Sequence, residues 1–69
     1  MARVIWNNSG NPTNYVSDQL GIERWQLREA IHKIKHSADI QPDEQVVIYD
    51  DGTVTDANGQ PIGNIHDEI

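Results

Sequence analysis

Cysteine is absent from this chain of 69 residues. Its absence excludes disulfides, thiolate metal sites and a cysteine nucleophile, so packing alone must hold the fold together. Long apolar runs are missing as well. None approaches the roughly 20 residues that a membrane span needs, and the opening MARVIWNNSG lacks the apolar middle of a signal peptide. A soluble protein, or a soluble piece of a larger one, is expected, with no membrane partner. No internal repeat, low-complexity tract or interdomain linker interrupts the chain. Its length leads us to expect one small domain over residues 1–69. A chain of this size buries only about 60% of the surface its unfolded form exposes, so the core must be thin.

Positive charge is missing from the second half. Residues 37–69 hold eight acids and no Lys or Arg, whereas residues 1–36 hold five Lys/Arg against three acids, Asp18, Glu23 and Glu29. The formal net charge of −6 argues at first against a nucleic-acid partner, because phosphate is bound mainly through Lys and Arg. The distribution of charge reopens that possibility, since the net value conceals two regions of opposite sign. Much of the acidity serves simply to keep a small domain soluble.

What is present has a readable order. Ala2–Trp6 is a short apolar run rich enough in Val, Ile and Trp to form a strand, with Val4–Trp6 as the candidate fourth strand of the sheet. The loop NNSGN comes next, with Asn11 as the expected N-cap and Pro12 suited to the first turn of a helix. That helix is expected to run to Leu20, to present Tyr15, Val16 and Leu20, and to stop at Gly21, which tolerates a left-handed conformation. A second helix is expected over roughly Glu23–Ser37, with Leu27, Ile31 and Ile34 facing the core. After a loop containing Pro42 the period becomes strand-like. QVVIYD, TVTD and PIGNI are short strands joined by Asp51-Gly52 and Asn58-Gly59, both strong hairpin signals. The expectation is an α+β fold in which two N-terminal helices pack on a small antiparallel sheet of three or four strands.

On the second helix, Arg24, Arg28, His32, Lys35 and His36 fall along the flank of the apolar stripe, at about 100° per residue. Such a face suits an anion such as a phosphate. Histidine, with an unperturbed pKa of about 6.5, suits proton transfer near neutral pH. His32 lies at the edge of the core, one turn from Arg28 and His36. Its plainer alternative is a boundary histidine that caps the core with one hydrogen bond. His36 lies nearer the exposed side, and His66 lies near the C-terminus.

His32 and His36 also have the i, i+4 spacing of a zinc pair, with a third ligand to come from His66, Asp67 or Glu68. Yet HKIKH lacks the glutamate of the metalloprotease pair, and Lys33 and Lys35 repel a dication. DDGTVTDANG does not match the register of a calcium loop and is explained by hairpin turns. VSDQLGIERWQLREAI carries the Leu-Gly-Ile turn of a helix-turn-helix, with Arg24, Gln26 and Arg28 near the start of the second helix. Glu23, Glu29 and the acidic second half oppose that reading.

The stretch GNPTNYVSDQLGIERWQLREAIHKIK, continued by VVIYDDGTVTDANGQPIGNIHDE, resembles the C-terminal toxin tips of bacterial polymorphic toxins, including Rhs-repeat and contact-dependent inhibition proteins. The resemblance spans about residues 10–68 and lies in LREAIHKIK and DGTVTDANGQPIGNI. It implies a ribonuclease loosely of the barnase, EndoU and colicin ribonuclease group, with helices preceding an antiparallel sheet. The implied activity is metal-independent endonucleolytic cleavage of RNA, with no cofactor. The implied setting is the tip of a larger bacterial protein that acts in the target-cell cytoplasm, is neutralised by a cognate immunity protein and is monomeric when free.

Under that resemblance His32 acts as base or acid, and His36 or His66 supplies the second proton-transfer group. Lys35 and Arg28 steady the phosphate, Arg24 steers the substrate, and Thr53, Thr55 and Asn64 orient the scissile group. The acidic half is left to dock the immunity protein or a host translation factor. Two other readings stand beside this one: a helix-turn-helix DNA-binding regulator, and an acidic inhibitor or antitoxin whose hairpin mimics nucleic acid.

Overall fold

The computed structural model describes residues 2–10 and 12–69. Strand β1 (Val4–Asn8) leads into helices α1 (Asn14–Leu20) and α2 (Arg24–Ser37). A meander of β2 (Val46–Tyr49), β3 (Thr53–Thr55) and β4 (Pro61–Asn64) comes after them, and a 3-10 turn over Ile65–Glu68 closes the chain. The strands lie in the order β1-β2-β3-β4, each antiparallel to its neighbour. The expected α+β fold is therefore present, with both helices inserted between the first strand and the meander. β1 takes an edge, where the register shifts between Val4 and Trp6 before Trp6 pairs with Ile48 and Asn8 with Val46.

Side-chain period explains the core. Along β2, Val46 and Ile48 are buried while Val47 and Tyr49 are half-buried, as alternation on a sheet with one covered face requires. α2 buries Leu27, Ala30, Ile31 and Ile34, α1 adds Val16 and Leu20, and Val54 and Ile65 complete the cluster. Burying each Leu, Ile or Val fully is worth about 1.5–3 kcal/mol, so a handful of such residues carries most of the stability. Tyr15, expected on the presented face of α1, is instead 52% exposed. At Gly63 an added Cβ would stand 2.9 Å from the Ile34 side chain, so β4 passes directly beneath α2.

The helix ends steer the connecting loops. Thr13, extended at φ −87° and ψ 174°, is the N-cap of α1, not Asn11, which lies outside the described residues. Pro12 is buried ahead of the helix rather than forming its first turn, because the chain stays extended through Thr13. Gly21 ends α1 at φ 69°, as expected. At the start of α2, Gln26 Oε1 accepts a hydrogen bond from Glu23 N at 3.0 Å, the reach-back half of a capping box. At its end Asp39 adopts φ 59°, and Ile40 N donates to Lys35 O at 2.9 Å. That left-handed residue turns the chain back along α2 and brings Ile40 and Pro42 beside the helix.

Candidate functional site

A cleft of about 210 Å³ runs along one flank of α2. Arg28, Ile31, His32, Lys35 and His36 form its floor, while Ile40 and Pro42 from the returning loop and Gly10 from the β1–α1 connection line the rest. Arg28, His32 and His36 recur every fourth residue, which sets successive side chains about 6 Å apart along the axis. The helix thus carries a guanidinium and two imidazoles in a row, beside an apolar wall. A cation and two groups able to exchange protons converge on a space that a phosphodiester group can enter.

Lys35 lines the same cleft but turns its charge inward. It is 4% exposed, and its Nζ donates to the carbonyl oxygens of Pro42 at 2.8 Å and Glu44 at 2.9 Å. Burial pushes its pKa below the ordinary 10.5, while the charges of Asp43 and Glu44 pull it back up. Two of the three ammonium donors are therefore engaged with the loop that forms the cleft wall. The sequence-based role of Lys35 as a phosphate ligand gives way to that of a staple, because the loop after α2 folds back over it. Arg28 remains as the exposed cation of the cleft.

The other residues singled out by sequence do not line the cleft. Arg24 is exposed on the first turn of α2. His66 stands in the 3-10 turn with its ring against Gly52, where an added Cβ would meet His66 Cδ2 at 2.6 Å. Asn64 Oδ1 accepts from His66 N at 2.9 Å, and Asn64 Nδ2 donates to Asp51 O at 3.5 Å. Asp51 Oδ1 in turn accepts from Thr53 N at 2.9 Å. His66, Asn64 and Thr53 therefore belong to one local cluster around the Asp51–Gly52 turn. Thr55 is buried, and its Oγ1 donates to Asp56 O at 3.2 Å. Their hydrogen bonds hold turns and strand ends together. Among the described residues, no group of three or more His, Asp or Glu is placed to hold a metal ion, so His66, Asp67 and Glu68 do not complete a site with His32 and His36.

Sequence reasoning missed Gly10, Ile40 and Pro42, which reach the cleft only through the tertiary fold. It also passed over Trp25 and Lys33, which border a second, shallower depression together with Arg28, Glu29 and His32. A helical wheel would have found both, since Trp25, Glu29 and Lys33 follow the i, i+4 row next to Arg28 and His32. A family scan found no matching model, and searches of curated proteins and of solved structures found no significant match.

Proposed function

We propose that this domain is an endoribonuclease that cleaves RNA by imidazole general acid–base chemistry, with no metal needed for the reaction. One observation carries the reading: Arg28, His32 and His36 line a single cleft. One imidazole removes the proton of a ribose 2′-hydroxyl, whose oxygen attacks the adjacent phosphorus. The bond from phosphorus to the 5′-oxygen of the next nucleotide breaks, and the other imidazole, protonated, gives that oxygen its proton. The products are a 2′,3′-cyclic phosphate and a free 5′-hydroxyl. Arg28 balances the charge that gathers on the phosphoryl oxygens, and the apolar wall of Ile31, Ile40 and Pro42 limits water around the reacting group. The resemblance to polymorphic-toxin tips adds the biological setting: delivery from a larger bacterial protein and neutralisation by an immunity protein.

Incubating the purified chain with total cellular RNA in EDTA is expected to yield discrete fragments ending in cyclic phosphate. His32→Ala and His36→Ala, each checked for folding by circular dichroism, are expected to lose roughly 10²-fold or more in rate. Intact RNA with the unaltered protein, or full activity in both variants, overturns the proposal. A helix-turn-helix reading keeps one specific support, the left-handed Gly21 between α1 and α2, with Arg24, Arg28 and Lys33 exposed on the second helix. It requires salt-sensitive duplex binding without RNA cleavage.

A further inference from the structure

One residue holds the connection between β3 and β4 together. Asp56 Oδ1 accepts from Asn58 N and from Gln60 N, each at 2.9 Å, while Asp56 N donates to Gln60 O at 2.9 Å and Asp56 O accepts from Gly59 N at 3.1 Å. None of these bonds engages the side chain of Asn58, which is exposed, as is Gly59 after it. Gly59 adopts φ 85°, and nothing stands within 4 Å of where its Cβ would be. A free side-chain amide therefore lies next to an unshielded backbone nitrogen. Asn58 is also the only asparagine of the chain that a glycine follows.

We propose that Asn58 is a site of slow covalent modification, deamidation through a cyclic imide, and that the Asp56 clasp restrains its rate. The Gly59 nitrogen gives its proton to hydroxide and bonds to Asn58 Cγ. The bond from Cγ to the side-chain nitrogen breaks, and that nitrogen takes a proton from water and leaves as ammonia. Water then opens the imide at either carbonyl, which leaves aspartate or isoaspartate at position 58. The clasp opposes the first step, because Gly59 N keeps its proton while it donates to Asp56 O. The turn must open before the nitrogen can reach Cγ.

The other asparagines each lack a requirement. Asn11 precedes Pro12, which has no N–H to lose. Asn14 and Asn64 precede Tyr15 and Ile65, whose side chains crowd the attacking nitrogen, and Asn64 Oδ1 is held by His66 N at 2.9 Å. Asn7 precedes another asparagine, and its Oδ1 accepts from the Gln45 amide. Asn8 is the nearest competitor, but its Oδ1 accepts from Ser9 N at 2.8 Å, which keeps that nitrogen protonated. At Asn58 either product adds a negative charge to the half of the chain that has no Lys or Arg. Isoaspartate also lengthens the backbone by a methylene, which misaligns the N–H groups that Asp56 Oδ1 accepts. β4 continues from this turn to pass beneath Ile34 of α2, so the modified protein loses stability while the cleft residues stay unaltered.

The whole chain, incubated for days in mildly alkaline buffer, is sampled by peptide mapping in a mass spectrometer. Isoaspartate is counted by methyl transfer from S-adenosylmethionine, catalysed by an isoaspartyl methyltransferase. Deamidation is expected to accumulate at Asn58 several-fold faster than at Asn8, with both aspartate and isoaspartate formed. Asn58→Gln should remove the product at that position. Asp56→Ala, shown to be folded by circular dichroism, should deamidate at Asn58 several-fold faster than the unaltered chain, yet slower than a chain unfolded in urea. Should Asp56→Ala not fold, graded urea on the unaltered chain replaces it, and the rate should climb before the helix signal falls, since the turn opens locally. An Asn58 that stays unmodified in the folded chain, or that reacts no faster than Asn8, overturns the site. A folded Asp56→Ala chain that reacts at the unaltered rate, or a rate that climbs only with global unfolding, overturns the clasp.

Discussion

Lys35 occupies a basic helical face yet sends its ammonium to two loop carbonyls, Pro42 O and Glu44 O. Replacing it by methionine keeps the apolar stem and removes both hydrogen bonds. The carbonyls lose charged donors, so Lys35→Met is expected to lower unfolding stability by about 1–3 kcal/mol in denaturant titrations. Because the loop forms the cleft wall, the proposed RNA cleavage should weaken mainly through KM. A large loss of kcat in a variant of unchanged stability would return the ammonium to the chemistry. Asp51 shows the opposite economy of charge, lying on the surface with its carboxylate set to accept. Hydrogen bonding from Thr53, chiefly its backbone N–H, holds the Asp51 carboxyl below its ordinary 3.8, with a smaller pull from the His66 imidazole. A folded-state pKa below the unfolded one stabilises the protein above the unfolded value, and the stabilisation is lost as pH falls through the folded value. Asp51→Ala should therefore unfold less steeply with acid below about pH 4 than the unaltered chain, measured by denaturation midpoints across pH. Identical acid limbs would show that Asp51 carries no such coupling.

At the level of elements, Gly52 joins the β2–β3 turn to the closing 3-10 turn. It adopts φ 93°, and an added Cβ would sit 2.6 Å from His66 Cδ2 and 2.8 Å from Asn64 Oδ1. Gly52→Ala is expected to cost roughly 1–3 kcal/mol, from the left-handed backbone and the crowded ring together. Since this cluster does not line the Arg28–His32–His36 cleft, the proposed cleavage by the folded fraction should survive, as it should in His66→Ala. Loss of kcat in a stably folded His66→Ala would instead make His66 the second proton-transfer group. Local pattern explains which parts were legible in the sequence. The period of Leu27, Ile31 and Ile34 is a property of α2 alone, and Asp51-Gly52 and Asn58-Gly59 determine their turns within a few residues. Arg28, His32 and His36 share a flank for the same reason. The inward turn of Lys35 was not legible, because it depends on Asp39 adopting φ 59° and folding the next loop back. Nor was the separation of His66 from the cleft: the last turn packs chiefly on α2, yet the His66 ring lies against Gly52 in the β2–β3 turn, a placement no spacing in the chain foretells.

For the molecule as a whole, charge and size act together. Its extents are 26 × 25 × 20 Å and its formal net charge is −6. The Debye length is about 8 Å at physiological ionic strength but about 30 Å at 0.01 M. Under the proposed ribonuclease reading, an approaching RNA in dilute salt therefore feels the whole acidic molecule, and repulsion opposes the local attraction of Arg24, Arg28 and Lys33. Near physiological salt the distant acids are screened, while phosphates already within a few ångströms of Arg28 still feel it. Further salt then weakens that contact too, through counterion competition. The value of kcat/KM is thus expected to rise from the lowest ionic strength, pass through a maximum and fall, in contrast to the steady fall of a uniformly basic nuclease. Asp43 and Glu44 are exposed, follow Pro42 of the cleft wall and act on the charge of Lys35. Neutralising both, as Asp43→Asn with Glu44→Gln, should raise the low-salt limb several-fold and leave the high-salt limb nearly unchanged, since the Glu44 bond to Lys35 comes from its backbone. A rate that falls monotonically from the lowest salt in both proteins would mean that the acidic half never meets the substrate, and that RNA reaches α2 with the rest of the molecule facing away.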